Sequence, residues 1–174
     1  MISTLFGPVI QIAYLVEDLS AGVQRWIERG VGPWTCFHNV VLDGLYRGAA
    51  TRVTIDVGLS YIGDQQIELI ALRAGAVSPY QDEDGRPLLG IHHLAWLADD
   101  LDRAESEALE RGLTVAFRAE NAAVRVVYLE SPDEPGVLFE FIEGTGQREL
   151  IQQGIAAVRD WDGCNPVHVI DFDD

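Results

Sequence analysis

Four residues interrupt otherwise apolar, strand-like runs: Gln11, Glu68, His93 and Glu140. Both carboxylates have apolar neighbours, in Ile67-Glu68-Leu69 and Phe139-Glu140-Phe141. Burying such a group costs several kcal/mol unless something neutralises it. Gln11 and His93 each open an apolar run. An amide, an imidazole and two carboxylates together offer oxygen and nitrogen donors. Such a set suits a divalent ion such as Zn²⁺, Ni²⁺, Co²⁺, Mn²⁺ or Fe²⁺, with positions left for water or substrate. Each residue also has a plainer reading. A strand turns every second side chain outward, so Glu68 and Glu140 suit solvent equally well. Gln11 fits a hydrogen-bonded core amide, and His93 a core or surface histidine.

An internal repeat ties the four together. Residues 11–30 align without gaps on residues 93–112, and seven of the twenty positions are identical. The identities are Ala13/Ala95, Leu15/Leu97, Asp18/Asp100, Leu19/Leu101, Glu28/Glu110, Arg29/Arg111 and Gly30/Gly112. Gln11 falls opposite His93. The stretch Gln66-Ile67-Glu68-Leu69-Ile70 resembles Leu138-Phe139-Glu140-Phe141-Ile142, which places Glu68 opposite Glu140. If both copies curl around one cavity, the four side chains converge in it.

Each copy predicts the same elements. An apolar run of strand length, 10–16 or 94–98, leads into an acidic pair and a leucine. Asp or Ser there caps a helix, over 20–29 or 102–111, whose positive end favours acidic neighbours. Gly30 and Gly112 stop the helices, since glycine tolerates the left-handed conformation at a helix C-terminus. Further strands are expected over 34–40, 50–57 and 66–72, and over 114–119, 124–129 and 137–142. Turn residues lie between them at Asp43-Gly44, Gly63-Asp64 and 131–136. The expected fold is α+β: two βαβββ modules in tandem, 7–73 and 88–144, joined by a linker at 74–87. A C-terminal extension, 145–174, holds a short amphipathic helix over 147–160 and a short strand over 167–172.

Composition excludes several classes. The chain has 174 residues, 28 Asp+Glu against 12 Lys+Arg, and a formal charge of −16. All twelve basic residues are arginine, so Schiff-base catalysis and lysine-bearing phosphate loops are excluded. So acidic a chain has no footprint for nucleic acid or anionic lipid. Mean hydropathy is +0.07, and no apolar run approaches the roughly 20 residues of a membrane span. Residues 1–10 lack the basic and apolar regions of a signal peptide, and Cys36 and Cys164 lack CxxC spacing. A cytoplasmic protein with reduced thiols is expected.

The βαβββ repeat, the strand–acidic pair–leucine–helix pattern and the four polar positions resemble the vicinal oxygen chelate superfamily. The resemblance covers about residues 7–144. That superfamily includes glyoxalase I, methylmalonyl-CoA epimerase, extradiol dioxygenases and bleomycin-resistance proteins. The stretch Gly90-Ile91-His92-His93-Leu94-Ala95 looks closest to the methylmalonyl-CoA epimerase-like branch. The resemblance implies a curved mixed sheet around a central cavity. It also implies a divalent metal held by Gln11, Glu68, His93 and Glu140, with His93 preferred to His92 by the repeat. By analogy Glu140 and Glu68 are the acid/base pair. Gln11 departs from the histidine usual in epimerases and extradiol dioxygenases. A single histidine among the four argues against ring-cleaving chemistry, while a Gln/Glu/His/Glu set occurs in glyoxalase I-like members.

The function so implied is an enzyme: a metal-dependent isomerase, epimerase or lyase that stabilises an enolate. Its partner is a small oxygenated substrate or an acyl thioester, and a homodimer is expected. Two alternatives stand beside it. One is a resistance-type ligand-binding protein on the same fold without metal catalysis. The other is an interaction protein whose acidic face and tail meet a basic partner. Of the remaining residues, Tyr14, Tyr46 and Trp96 suit core or pocket walls. Arg47 and Arg52 suit the surface or an anionic substrate group. His38 and His168 have no assigned role.

Overall fold

The computed structural model describes residues 6–172. Residues 1–5, Asp173 and Asp174 lie outside them. Among the described residues the chain forms nine strands and three helices. The first half contributes β1 (Gln11–Leu15), α1 (Leu19–Glu28), β2 (Trp34–Tyr46), β3 (Ala49–Ile62) and β4 (Gln65–Gly75). The second contributes β5 (Gly90–Leu97), α2 (Leu101–Leu109), β6 (Thr114–Glu120), β7 (Arg125–Glu130) and β8 (Leu138–Glu143). The tail adds α3 (Gln147–Arg159) and β9 (Val167–Asp171). The α+β class and the tandem βαβββ order are those expected from the sequence.

The strands run β3-β4-β1-β5-β8-β7-β6-β2, and β2 pairs back onto β3. Eight strands therefore close on themselves, and β9 adds in parallel to β2. Within each half the first and last strands are parallel, β1 with β4 and β5 with β8. Parallel neighbours need a crossover, which the helix and two intervening strands supply. The halves join at two antiparallel seams, β1–β5 and β2–β6, both within one chain.

Strand alternation divides the apolar residues between the inside and the outside of this barrel. Ala13, Leu15, Val53, Ile55, Ile70 and Phe117 fill the interior. Leu19 and Val23 of α1 cover Ile67 and Leu69 on one outer face. Leu101 and Ala108 of α2 cover Val127, Phe139 and Phe141 on another. Tyr14 and Trp96 belong to these outer cores. The helix starts match the sequence logic. Asp18 accepts from the Ala21 N–H at 2.7 Å, and Asp100 from the Arg103 N–H at 2.9 Å.

One turn expectation is corrected. Asp43-Gly44 is not a turn; β2 runs straight through it to Tyr46. Gly44 pairs with Ala119 on β6, where an added Cβ would stand 2.0 Å from the Arg118 carbonyl oxygen. The glycine serves a close approach of two backbones at the seam. The reversal falls instead at Arg47-Gly48, both with positive φ (48° and 80°), the geometry of a two-residue hairpin.

Candidate functional site

Glu68, Gln11, His93 and Glu140 lie on four adjacent strands: β4, β1, β5 and β8. Register brings them together. Ala13 of β1 pairs with both Glu68 and His93, and Ala95 of β5 pairs with both Gln11 and Glu140. Gln11 shares the inward face of β1 with Ala13 and Leu15. Glu140 faces inward because Phe139 and Phe141 face α2. Both outward alternatives for the carboxylates are therefore excluded. Glu140 is 4% exposed, His93 0% and Gln11 4%, while the Glu68 side chain keeps 14%.

The four side chains meet at a single atom. His93 Nε2 lies 2.8 Å from Glu140 Oε2, 3.3 Å from Glu68 Oε2 and 3.3 Å from Gln11 Oε1. The other edge of the ring is held as tightly. The β1–β5 register slips by one residue after Ala13, and His92 is the extra residue. Such a bulge lets two consecutive side chains point inward. His92 Nε2 donates to the Pro79 carbonyl at 2.8 Å, and His92 Nδ1 lies 2.9 Å from His93 Nδ1. A carbonyl only accepts, so the His92 proton is on Nε2. Its Nδ1 then accepts, and His93 Nδ1 must donate. The lone pair of neutral His93 is thereby left on Nε2, facing the three oxygens.

Charge follows from burial. Desolvation, then the charge of His93, pushes His92 down to about 3, so it stays neutral. For His93, desolvation lowers the pKa. The charge and hydrogen bond of Glu140, with those of Glu68, outweigh it and raise the ring to about 9. Burial raises Glu140 as well, opposed by His93. The cluster thus keeps one proton between His93 and Glu140 at neutral pH. Two tyrosines close the space beside it. Tyr80 and Tyr128 are buried, their hydroxyls 2.9 Å apart, and Tyr80 stacks on His92. Burial pushes both phenols well above their ordinary range.

Sequence reasoning did not find Tyr80, Tyr128, Tyr61 or Gln66, and weighed His92 only as the lesser alternative to His93. Tyr80 comes from the segment 74–87, among proline, serine and acidic residues that gave no sign of a buried ring. Gln66 had a signal, since it stands two residues from Glu68 on the same strand face. Elsewhere the polar residues pair with one another. Arg47 holds Glu130 through two bonds of 2.6 and 2.8 Å, and Arg52 holds Asp43. His38 Nδ1 meets the buried Asp56 at 3.0 Å, and His168 is exposed. A cavity of about 730 Å³ is lined by His92, Tyr46, Arg47, Leu88, Leu89 and Ile91, and none of the four donors lines it.

The set fits a divalent ion by the chemistry of its donors. Two neutral and two anionic donors balance a dication. The donors are drawn in around a shared proton. Among the described residues no three His, Cys, Asp or Glu side chains already surround a common ion position. An ion entering the set would displace that proton.

A family model described as the glyoxalase/bleomycin resistance protein/dioxygenase superfamily matches residues 10–129. Among solved structures, methylmalonyl-CoA epimerase from Mycobacterium tuberculosis is similar at 19% identity and a TM-score of 0.52. The match covers 84% of this chain and 93% of that one. A hypothetical protein from Bacillus halodurans is similar at 18% identity and a TM-score of 0.51, over 80% of this chain and 96% of that one. At such identities the likeness is one of fold. No curated protein matches the sequence. No described helix is long and apolar enough to cross a membrane.

Proposed function

Because the chain belongs to the glyoxalase/bleomycin resistance protein/dioxygenase superfamily, we propose that it is a metal-dependent isomerase, epimerase or lyase. Its substrate is a small oxygenated molecule or an acyl thioester with an acidic C–H bond. The observation that carries this reading is the convergence of three side-chain oxygens on His93 Nε2 within 3.3 Å. Gln11, Glu68, His93 and Glu140 would hold the ion. When bound, a divalent ion supplies Lewis-acid polarisation of a substrate carbonyl, which lowers the pKa of the adjacent C–H and stabilises the enolate.

The chain's own residues supply the rest. Glu140, which burial makes a more basic carboxylate than usual, is the first acid/base group. Tyr128 is its further hydrogen-bond partner, with Tyr80 behind. Glu68, on the equivalent strand of the other half, is the second acid/base group. His92 fixes the tautomer of His93, and the apolar barrel interior excludes water. The test is calorimetry with Zn²⁺, Co²⁺ and Ni²⁺ on wild type, His93→Ala and Glu140→Ala. Metal-loaded protein in D₂O is then followed by NMR for exchange of the α-proton of acyl thioesters. Wild-type protein that binds none of these ions sinks the proposal.

A second reading is a ligand-binding protein without metal catalysis. It draws on the cavity of about 730 Å³, which the four donors do not line, and on the Tyr80 ring that fills the space beside them. Uptake of an apolar fluorescent probe by protein that ignores all three ions would favour it.

A further inference from the structure

We propose that the C-terminal helix is tied to the four-donor set through Tyr61 and Gln66, which act as positioning residues for Gln11. The inference rests on the metal-site reading above. Helix α3 lies outside the eight-stranded barrel and beyond the segment that the family model matches. None of its residues is fully buried. Even so, its Gly154 sits so close to β3 that an added Cβ would stand 2.3 Å from Tyr61 Cε2 and 2.8 Å from the Tyr61 hydroxyl oxygen. The helix backbone therefore bears directly on the phenol.

From that phenol a chain of hydrogen bonds runs inward. The Tyr61 hydroxyl accepts from Gln66 Nε2 at 2.6 Å. Gln66 Oε1 accepts from Gln11 Nε2 at 2.8 Å. Gln11 Oε1 then faces His93 Nε2 at 3.3 Å. Tyr61, Gln66 and Gln11 are 7%, 6% and 4% exposed, so water is poorly placed to replace a missing link. An amide has one accepting end and one donating end. Holding the Gln11 NH₂ on Gln66 leaves its carbonyl oxygen for the site. Turned over, Gln11 would offer a cation an NH₂ group, which has no lone pair to give. Gln66 thus decides which atom Gln11 presents, and Tyr61, seated under Gly154, fixes where Gln66 stands.

The experiment titrates Co²⁺ into the full-length wild type and its variants, by calorimetry and by visible absorption of the bound ion, with a urea midpoint for each. Gln66→Met removes the acceptor at similar volume and should weaken Co²⁺ binding about ten- to a hundredfold, the usual effect of losing a partner that orients a ligand. Gln66→Glu keeps an oxygen for Gln11, while the Tyr61 hydroxyl turns to donate. It should recover most of the affinity and the wild-type spectrum. Gly154→Ala should weaken binding in the same direction. Gln11→Ala with Gln66→Met should bind no worse than Gln11→Ala alone, because the effect passes through Gln11. Wild-type affinity in Gln66→Met overturns the relay alone, whatever its urea midpoint. Wild-type affinity in Gly154→Ala overturns the link to the helix. A wild type that ignores Co²⁺, or a Gln11→Ala variant that matches wild type, overturns the metal site and the relay with it.

Discussion

Loading the four-donor set with a divalent ion should expel one proton, and affinity should climb with pH. The proton sits where His93 Nε2 meets Glu140 Oε2 at 2.8 Å, with Glu68 and Gln11 oxygens at 3.3 Å. Burial works against the charged ring, but the two carboxylates prevail and raise it to about 9. At pH 7 such a group is about 99% protonated, so nearly a full proton leaves for each ion bound. Below pH 9 each unit of pH removes a tenfold excess of competing protons. The association constant should therefore rise about a hundredfold between pH 6.5 and 8.5. The assay is Co²⁺ calorimetry in buffers of different protonation enthalpy. The slope of apparent enthalpy against buffer enthalpy counts the protons released, and about one is expected at pH 7. A slope near zero together with pH-independent affinity refutes the shared proton.

Without metal, the urea midpoint should peak near pH 6.5. His93 is raised to about 9, so its contribution is complete below about 6.5 and is lost as pH climbs to about 9, on the order of 3 kcal/mol. His92 is lowered to about 3, so stability also falls as pH drops below about 6.5, where the unfolded chain takes up a proton that the fold refuses. A flat midpoint from pH 5 to 9 contradicts both. Gly44→Ala should cost about 2–4 kcal/mol in urea unfolding, because its Cβ would meet the Arg118 carbonyl at the β2–β6 seam. The exposed neighbour Asp43→Ala should stay within about 0.5 kcal/mol. Asp18→Ala and Asp100→Ala should each cost about 1 kcal/mol through loss of a helix cap, read by thermal melts.

The readable parts of this fold were those fixed by short-range physics. Asp18 and Asp100 announce helix starts because a carboxylate satisfies the free N–H groups of the first turn. The repeat then gave the element order of each half and set Glu68 opposite Glu140 and Gln11 opposite His93. Long-range approaches left no such mark. Asp43-Gly44 reads as a turn in any local window, and only the backbone of β6 shows why glycine stands there. Nothing in the residues around Tyr80 shows that its ring enters the barrel. The His92 bulge depends on the partner strand, so the repeat singled out His93 without revealing what holds it.

The duplication behind the four donors is not symmetric in its outcome. Glu68 and Glu140 occupy equivalent strands, yet one side chain keeps 14% of its surface and the other 5%. Gln11 and His93 are likewise equivalent in place and unlike in chemistry. A molecule held between the two halves would meet a drier carboxylate on one side and a wetter one on the other. A scaffold of near two-fold form is thereby given handedness, and the two faces of a flat carbon centre become distinguishable.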